Sequence, residues 1–266
     1  MSNQQALNYV SYLQLDKILT AQSPRSQTKS GFEHDEMLFI IIHQSYELWF
    51  KQILHEIDHV MALLSQNQLS NALATIRRIL TILKTIVSQI DILETMTPLQ
   101  FNSFRSFLES SSGFQSVQFR ELEFALGYKR EAMLNQFSTE IYGYEQLQHH
   151  FQTPSLWDVF LKFIAQQGYS VPATLLERDV TQPIAPSEAL QATLINIYQS
   201  DPWMGRLCER LVDLDEGLQE WRYRHVKMVA RTIGSKMGTG GSSGVGYLSS
   251  TIKPLWPDLW AIRANL

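Results

Sequence analysis

Seven histidines and a single cysteine define the chemistry open to this chain of 266 residues. With Cys208 alone, neither an internal disulfide framework nor a CxxC zinc or redox site can be built, so any metal has to be held through imidazole or carboxylate. His55-Glu56-Ile57-Asp58-His59 has the HExxH spacing, in which two imidazoles one helical turn apart hold zinc and the glutamate acts as general base. On a helical projection of residues 38–66 the apolar arc carries Tyr46, Trp49, Ile53, Ile57, Val60 and Leu64, while His55 and His59 fall opposite it with Lys51 and Gln52. The pattern predicts a solvated face there, and no downstream motif offers a third ligand. His43 lies at the edge of the apolar arc. Its neighbourhood from Met37 to Ile42 is apolar on every side, the pattern of a helix buried all round. Phe39, one turn earlier, shares a face with its imidazole. His225 sits on the stripe Leu211, Leu214, Leu218, Trp221, His225 and Val229, with Arg222, Arg224, Lys227, Arg231 and Lys236 around it and no acid between Trp221 and Lys236. Burial and neighbouring cations both disfavour the imidazolium, which predicts a neutral, metal-competent His225 beside a basic rim suited to anionic groups. On pattern alone, an imidazole in either place is more often a satisfied core residue than a ligand. His34, His149 and His150 lie in polar contexts that carry no readable signal.

The elements that must position these residues are helices. Apolar residues recur at i, i+3, i+4 and i+7 over 35–66, 70–95, 185–199 and 203–233. No Asn-Gly or Asp-Gly hairpin signal appears between alternating runs. Thr97-Pro98 and Asp201-Pro202 read as N-caps followed by proline at the first helical position. Two stretches read as non-helical: a polar loop over 22–33 and a glycine-rich segment over 234–246. The latter contains neither GxxxxGK[ST] nor GxGxxG and follows a helix rather than a strand, so it is expected to bring backbone close to a ligand rather than to cradle a nucleotide. The fold class predicted is all-α: one helical-bundle domain over residues 1–266, built from long helices. The 22 Lys and Arg against 26 Asp and Glu give a net charge of −4, which supplies no drive toward nucleic acid or an acidic membrane. A hydrophobic content of 44% with 18% charged residues excludes a disordered chain. No signal peptide and no apolar run of membrane-spanning length is seen, and a reduced, cytoplasmic location is the expectation.

Six stretches, in order along nearly the whole chain, resemble the tryptophan 2,3-dioxygenase family. They are Tyr9-Val-Ser-Tyr-Leu-Gln-Leu-Asp16, His34-Asp-Glu-Met-Leu-Phe-Ile-Ile-Ile-His-Gln-Ser-Tyr-Glu-Leu-Trp49, Phe104-Arg105, Ser111-Ser-Gly-Phe-Gln-Ser116, Trp221-Arg-Tyr-Arg-His225 and Gly238-Thr-Gly-Gly-Ser-Ser-Gly-Val-Gly246. The resemblance implies a helical fold enclosing haem b, ferrous in the active form. It also implies the insertion of both atoms of O2 into the indole C2–C3 bond of L-tryptophan, giving N-formyl-L-kynurenine at the start of the kynurenine route. It implies further that His225 is the iron ligand, with Ser112 and Gly113 beside the cofactor and the basic rim near its propionates. His43 corresponds to the distal histidine near the indole nitrogen and Phe39 to the aromatic wall. Arg105 corresponds to the carboxylate-binding arginine and Thr239 to the contact with the amino-acid end. Tyr9, Tyr12 and Leu13, within an N-terminal segment of residues 1–22, correspond to residues that complete a neighbouring subunit's pocket in a homotetramer. Some members of the family carry tyrosine where this chain has Phe101, which lies one turn before Arg105. The missing hydroxyl removes a hydrogen bond worth about 0.5–1.5 kcal/mol. Two alternatives remain open on sequence: a haem carrier or sensor, which has no need of Arg105 and Thr239 placed for an amino acid, and the HExxH zinc hydrolase.

Overall fold

The 3.6-residue apolar period becomes helix along most of the chain. In the computed structural model, which describes residues 7–29, 31–234, 236 and 245–266, two short turns at Tyr9–Leu13 and Leu15–Ile18 lead into α1 (His34–Ser65). The chain continues through α2 (Leu69–Leu93), α3 (Pro98–Arg105), α4 (Val117–Ala125), α5 (Tyr144–Gln152), α6 (Leu156–Gln166) and α7 (Glu188–Ser200). It ends with α8 (Pro202–Ile233), α9 (Val245–Ser250) and α10 (Pro257–Ala261). The four periodic stretches read from sequence coincide with α1, α2, α7 and α8. The one departure from helix-and-loop among the described residues lies in the 22–33 stretch, where Gln27–Thr28 pairs antiparallel with Gly31–Phe32.

Helix α2 is the axle of the bundle. It buries Ala72, Ile76, Ile79, Leu83, Ile86, Ile90 and Leu93 at three- and four-residue spacing, and packs against both α1 and α8. Close approach to α8 depends on Gly217, where a Cβ would stand 3.1 Å from Leu83 Cδ1. The helix starts are those expected. Thr97 and Gln100 form a reciprocal capping box at α3, and the Asp201 carboxylate accepts from the Trp203 and Met204 amides at α8. Helix α4 ends in a Schellman turn: the Gly127 amide donates to Phe124 O and the Tyr128 amide to Glu123 O, with Gly127 at φ +99°. The C-terminal segment is strapped to α8 by buried Asp215, whose Oδ2 accepts from the Leu255 and Trp256 amides and from Trp260 Nε1.

The start of α1 is not buried all round, contrary to the expectation from its sequence. Met37 is 39% and Ile41 46% exposed, although α2, α3, α4 and α6 pack against this helix and Ala21 and Gln22 bond to Gln44. Among the described residues, no helix is long and apolar enough to cross a membrane.

Candidate active site

A cavity of ≈ 250 Å³ opens between α1 and α8, with α2, α3, α4 and α9 contributing to its wall. That is several times the roughly 30 Å³ share of one water molecule, so it is a site rather than a packing defect. Both histidines singled out by their apolar surroundings line it: His43 from α1 and His225 from α8. The Nδ1 of His43 lies 2.6 Å from the Phe39 carbonyl oxygen. A carbonyl only accepts, so Nδ1 carries the proton and the neutral ring keeps its lone pair on Nε2. Burial lowers the proton affinity of His43, and it outweighs the opposing pull of the Phe39 carbonyl and the Glu47 carboxylate. His225 is pushed down to about 4, by burial first and by the like charge His43 would carry second. The neutral state expected for His225 therefore stands, but the flanking cations are not its cause. Trp221 stacks flat on the His225 ring, with centroids 5.3 Å apart and planes 6° from parallel, as residues i and i+4 on one face of α8.

At one end of the cavity the Phe39 ring lies 4.1 Å from the His43 ring, and Phe101 and Phe104 of α3 stand 5.8 and 5.6 Å from Phe39. Phe101 and Arg105 both line the cavity, so the predicted sharing of one helical face holds. Ser112 and Gly113 line it from the turn preceding α4, where the Ser112 hydroxyl accepts from the Phe114 amide at 3.3 Å. Thr239 lies outside the described residues. Tyr9, Tyr12 and Leu13 do not reach the cavity of their own chain and are 73%, 69% and 36% exposed.

Along another wall runs a charge cluster that sequence reasoning missed. Glu123 on α4 is 1% exposed and accepts from three guanidinium groups. They are Arg120, Arg130 at 3.1 Å and Arg222 at 2.5 Å. Arg222 also donates to the Thr251 carbonyl at 2.5 Å, and the Arg222 and Arg130 guanidinium groups lie over the ring of Tyr128. Three cations face one carboxylate, so the cluster keeps an excess of positive charge. The buried Nε atoms of Arg120 and Arg130 find no acceptor among the described residues. The only hint in sequence is Arg120 and Glu123 at i, i+3 between aromatic residues. Their partner Arg222 is 99 residues away from Glu123.

The basic rim around His225 is mostly committed rather than open. Arg222 is held by Glu123, Arg224 by Asp91 and Glu94, and Arg231 by Glu94, all acids from other helices. The HExxH stretch carries no assembled site. Its histidines are exposed, and its glutamate is buried in an ion pair with Arg78, 2.8 Å away.

Comparison with known proteins gives the family. The family model described as tryptophan 2,3-dioxygenase matches residues 1–154 and 186–266. A protein of Herpetosiphon aurantiacus named tryptophan 2,3-dioxygenase is 62% identical over 262 residues, covering 98% of this chain and 99% of its own length. Relatives of the same name from Anaeromyxobacter sp. and Bordetella pertussis are 52% and 41% identical, each over 98% of this chain and 97% and 91% of their own. A match that leaves out only residues 155–185, joined to relatives alike from end to end, makes this chain a member of the tryptophan 2,3-dioxygenase family.

Proposed function

We propose that the cavity between α1 and α8 carries out the reaction its family is named for. L-Tryptophan and O2 enter, the indole C2–C3 bond breaks, and each carbon leaves bearing one oxygen atom as N-formyl-L-kynurenine, the first product of the kynurenine route. Both oxygen atoms end in the product, so the overall conversion needs no external reductant. The observation that carries this reading is the pairing of two neutral imidazoles, from helices far apart in sequence, across one aromatic-walled cavity that also holds Arg105.

The cavity's residues fit haem b. A neutral imidazole is the form that ligates iron, and His225 is held neutral by burial. A cluster with surplus positive charge, whose cavity-lining Arg120 keeps a buried Nε without an acceptor, suits the carboxylates of such a cofactor, which assigns Arg120 to them and Ser112 and Gly113 to its edge. Haem supplies the iron and the oxygen chemistry when bound.

The remaining work belongs to the protein. Arg105 has the planar fork that pairs two parallel hydrogen bonds with a carboxylate, so we assign it to the substrate's carboxylate. Phe39 and Phe101 hold the indole plane and keep water from it. The Nε2 lone pair of His43 accepts the indole N–H, a positioning task that removes no proton. Thr239 is assigned to the amino-acid end by resemblance to the family. Exposed Tyr9, Tyr12 and Leu13, with Val10 and Leu19 beside them, support assembly of four copies in which one chain's N-terminal segment closes another's pocket.

The test is direct. The protein is loaded with haem, reduced, and supplied with L-tryptophan and O2. Formylkynurenine absorbance should rise as tryptophan falls; tryptophan loss without that product, or no Soret band after loading, refutes the reading.

A further inference from the structure

Glu47 is a carboxylate in an otherwise aromatic and apolar stretch of the cavity wall. It stands on α1 one turn beyond His43, and both side chains line the same cavity. It is fixed from the opposite side. Gln118 of α4 donates Nε2 both to the Glu47 backbone carbonyl and to its Oε2, each at 2.9 Å, so one amide clamps the residue twice. None of the roles assigned above uses it.

Resting on the reading of the cavity as a tryptophan dioxygenase site, we propose that Glu47, clamped by Gln118, is a positioning residue that keeps His43 a strong hydrogen-bond acceptor for the indole N–H. The His43 ring is oriented by its Nδ1 donation to Phe39, which leaves Nε2 as its acceptor. An anion close to an imidazole raises its basicity, and a more basic nitrogen accepts a hydrogen bond more strongly. Burial drives the ring toward weak basicity, and Glu47 is the charged group that opposes it. Other charges face this region. Arg105 lines the cavity from α3, Arg120 and Glu123 from α4, and Arg222 and His225 from α8. Behind the clamp, Glu121 of α4 and His150 of α5 interact with each other, and Glu47 acts on Glu121. Arg120 and Arg222 are held by Glu123, which leaves the anion one turn along the same helix as the neighbour that favours charge on His43.

This assignment has two opposite consequences. Removing the charge weakens the indole hydrogen bond at neutral pH, yet it makes His43 harder to protonate and so extends activity into acid. A purely structural defect does not improve activity anywhere. The experiment measures kcat/KM for L-tryptophan from about pH 5 to 9, spanning the histidine range, in the haem-loaded wild type, Glu47→Gln, Glu47→Asp and Gln118→Leu. It adds binding of a tryptophan analogue methylated at the indole nitrogen, which has no N–H to donate. In Glu47→Gln the acid limb should move down by about half a pH unit or more, and KM at neutral pH should rise about threefold. Binding of the methylated analogue should be unchanged, and Glu47→Asp should restore the wild-type profile. Gln118→Leu, which releases the clamp, should shift the limb the same way and serves if Glu47→Gln does not fold. Superimposable acid limbs, or equal weakening of both ligands, overturn the proposal. A wild type that forms no formylkynurenine at any pH instead refutes the functional reading itself.

Discussion

At the scale of single residues, the division of work proposed for the two histidines follows from their different surroundings. His225 packs flat against Trp221 and is neutral through burial; His43 has one nitrogen committed to a backbone carbonyl and the other available. His225→Ala should therefore lose haem retention, read as a missing Soret band after gel filtration. Arg105→Ala should keep haem and raise the KM for tryptophan by about tenfold or more, the cost of losing a charge-assisted pair. His43→Ser should retain haem and measurable turnover. Equal loss of haem and KM in the first two variants, or abolished turnover with intact binding in the third, contradicts this division. Much of it was legible beforehand, since an imidazole on an apolar stripe stands out in a single helix. What was not legible is what meets it from other helices. Arg222, Arg224 and Arg231 read as a free basic rim because their acids lie on α2 and α4, between 99 and 137 residues away. Glu47 passed unremarked for the same reason, as the amide that fixes it lies 71 residues on.

At the scale of elements, helix periods were readable and helix neighbours were not. The spacing in α2 and α8 names a buried stripe, but a stripe does not say whether one side or two will be covered, and the first turns of α1 leave Met37 and Ile41 exposed. His150, which carried no signal in sequence, joins three helices. From α5 it lies 3.7 Å from Asp58 of α1 and 3.8 Å from Glu121 of α4, and its proton affinity is raised by the Asp58 hydrogen bond and neighbouring acids against the opposing effect of burial. Burial pushes Glu121 up to about 7, helped by the like charges of Asp58 and Glu47. Both groups favour the folded state in their protonated forms, so both lend stability that is full in acid and is lost as pH rises. Glu121 loses its share between about 4.5, its ordinary value, and 7; His150 loses its share above 6.5. The seam between α1, α4 and α5 should thus weaken from pH 5 to 8. Thermal unfolding at the two pH values should give a smaller difference in Glu121→Gln than in wild type, by about 2–3 kcal/mol. An unchanged difference contradicts the assignment.

At the scale of the whole molecule, one group of exposed apolar residues lies in the N-terminal segment and on α1: Leu7, Tyr9, Val10, Tyr12, Leu19, Met37, Ile41 and Leu48. Covering such a surface favours association. A double substitution, Tyr12→Glu with Leu19→Glu, should lower the mass seen by sedimentation below that of four chains and weaken tryptophan binding together with it. Dissociation with undiminished binding would separate the interface from the pocket. Residues 155–185, which the family model does not match, are no appendage. They contain α6, whose Trp157 is buried and stacks on Trp256 at 6.0 Å, while Trp256 Nε1 donates to the Leu126 carbonyl at the end of α4.

The cavity wall is also ordered in time. His43 belongs to α1, whereas His225 follows roughly 180 residues later, about 9–36 s at ordinary elongation rates. Arg222 is anchored on Thr251, and α8 is strapped by amides from Leu255 onward, so the His225 face is secured only after residues 251–260 have emerged. Through that interval a nascent chain holds the α1 wall of the cavity without its α8 wall, open to competition from whatever else covers oily surface on a growing polypeptide.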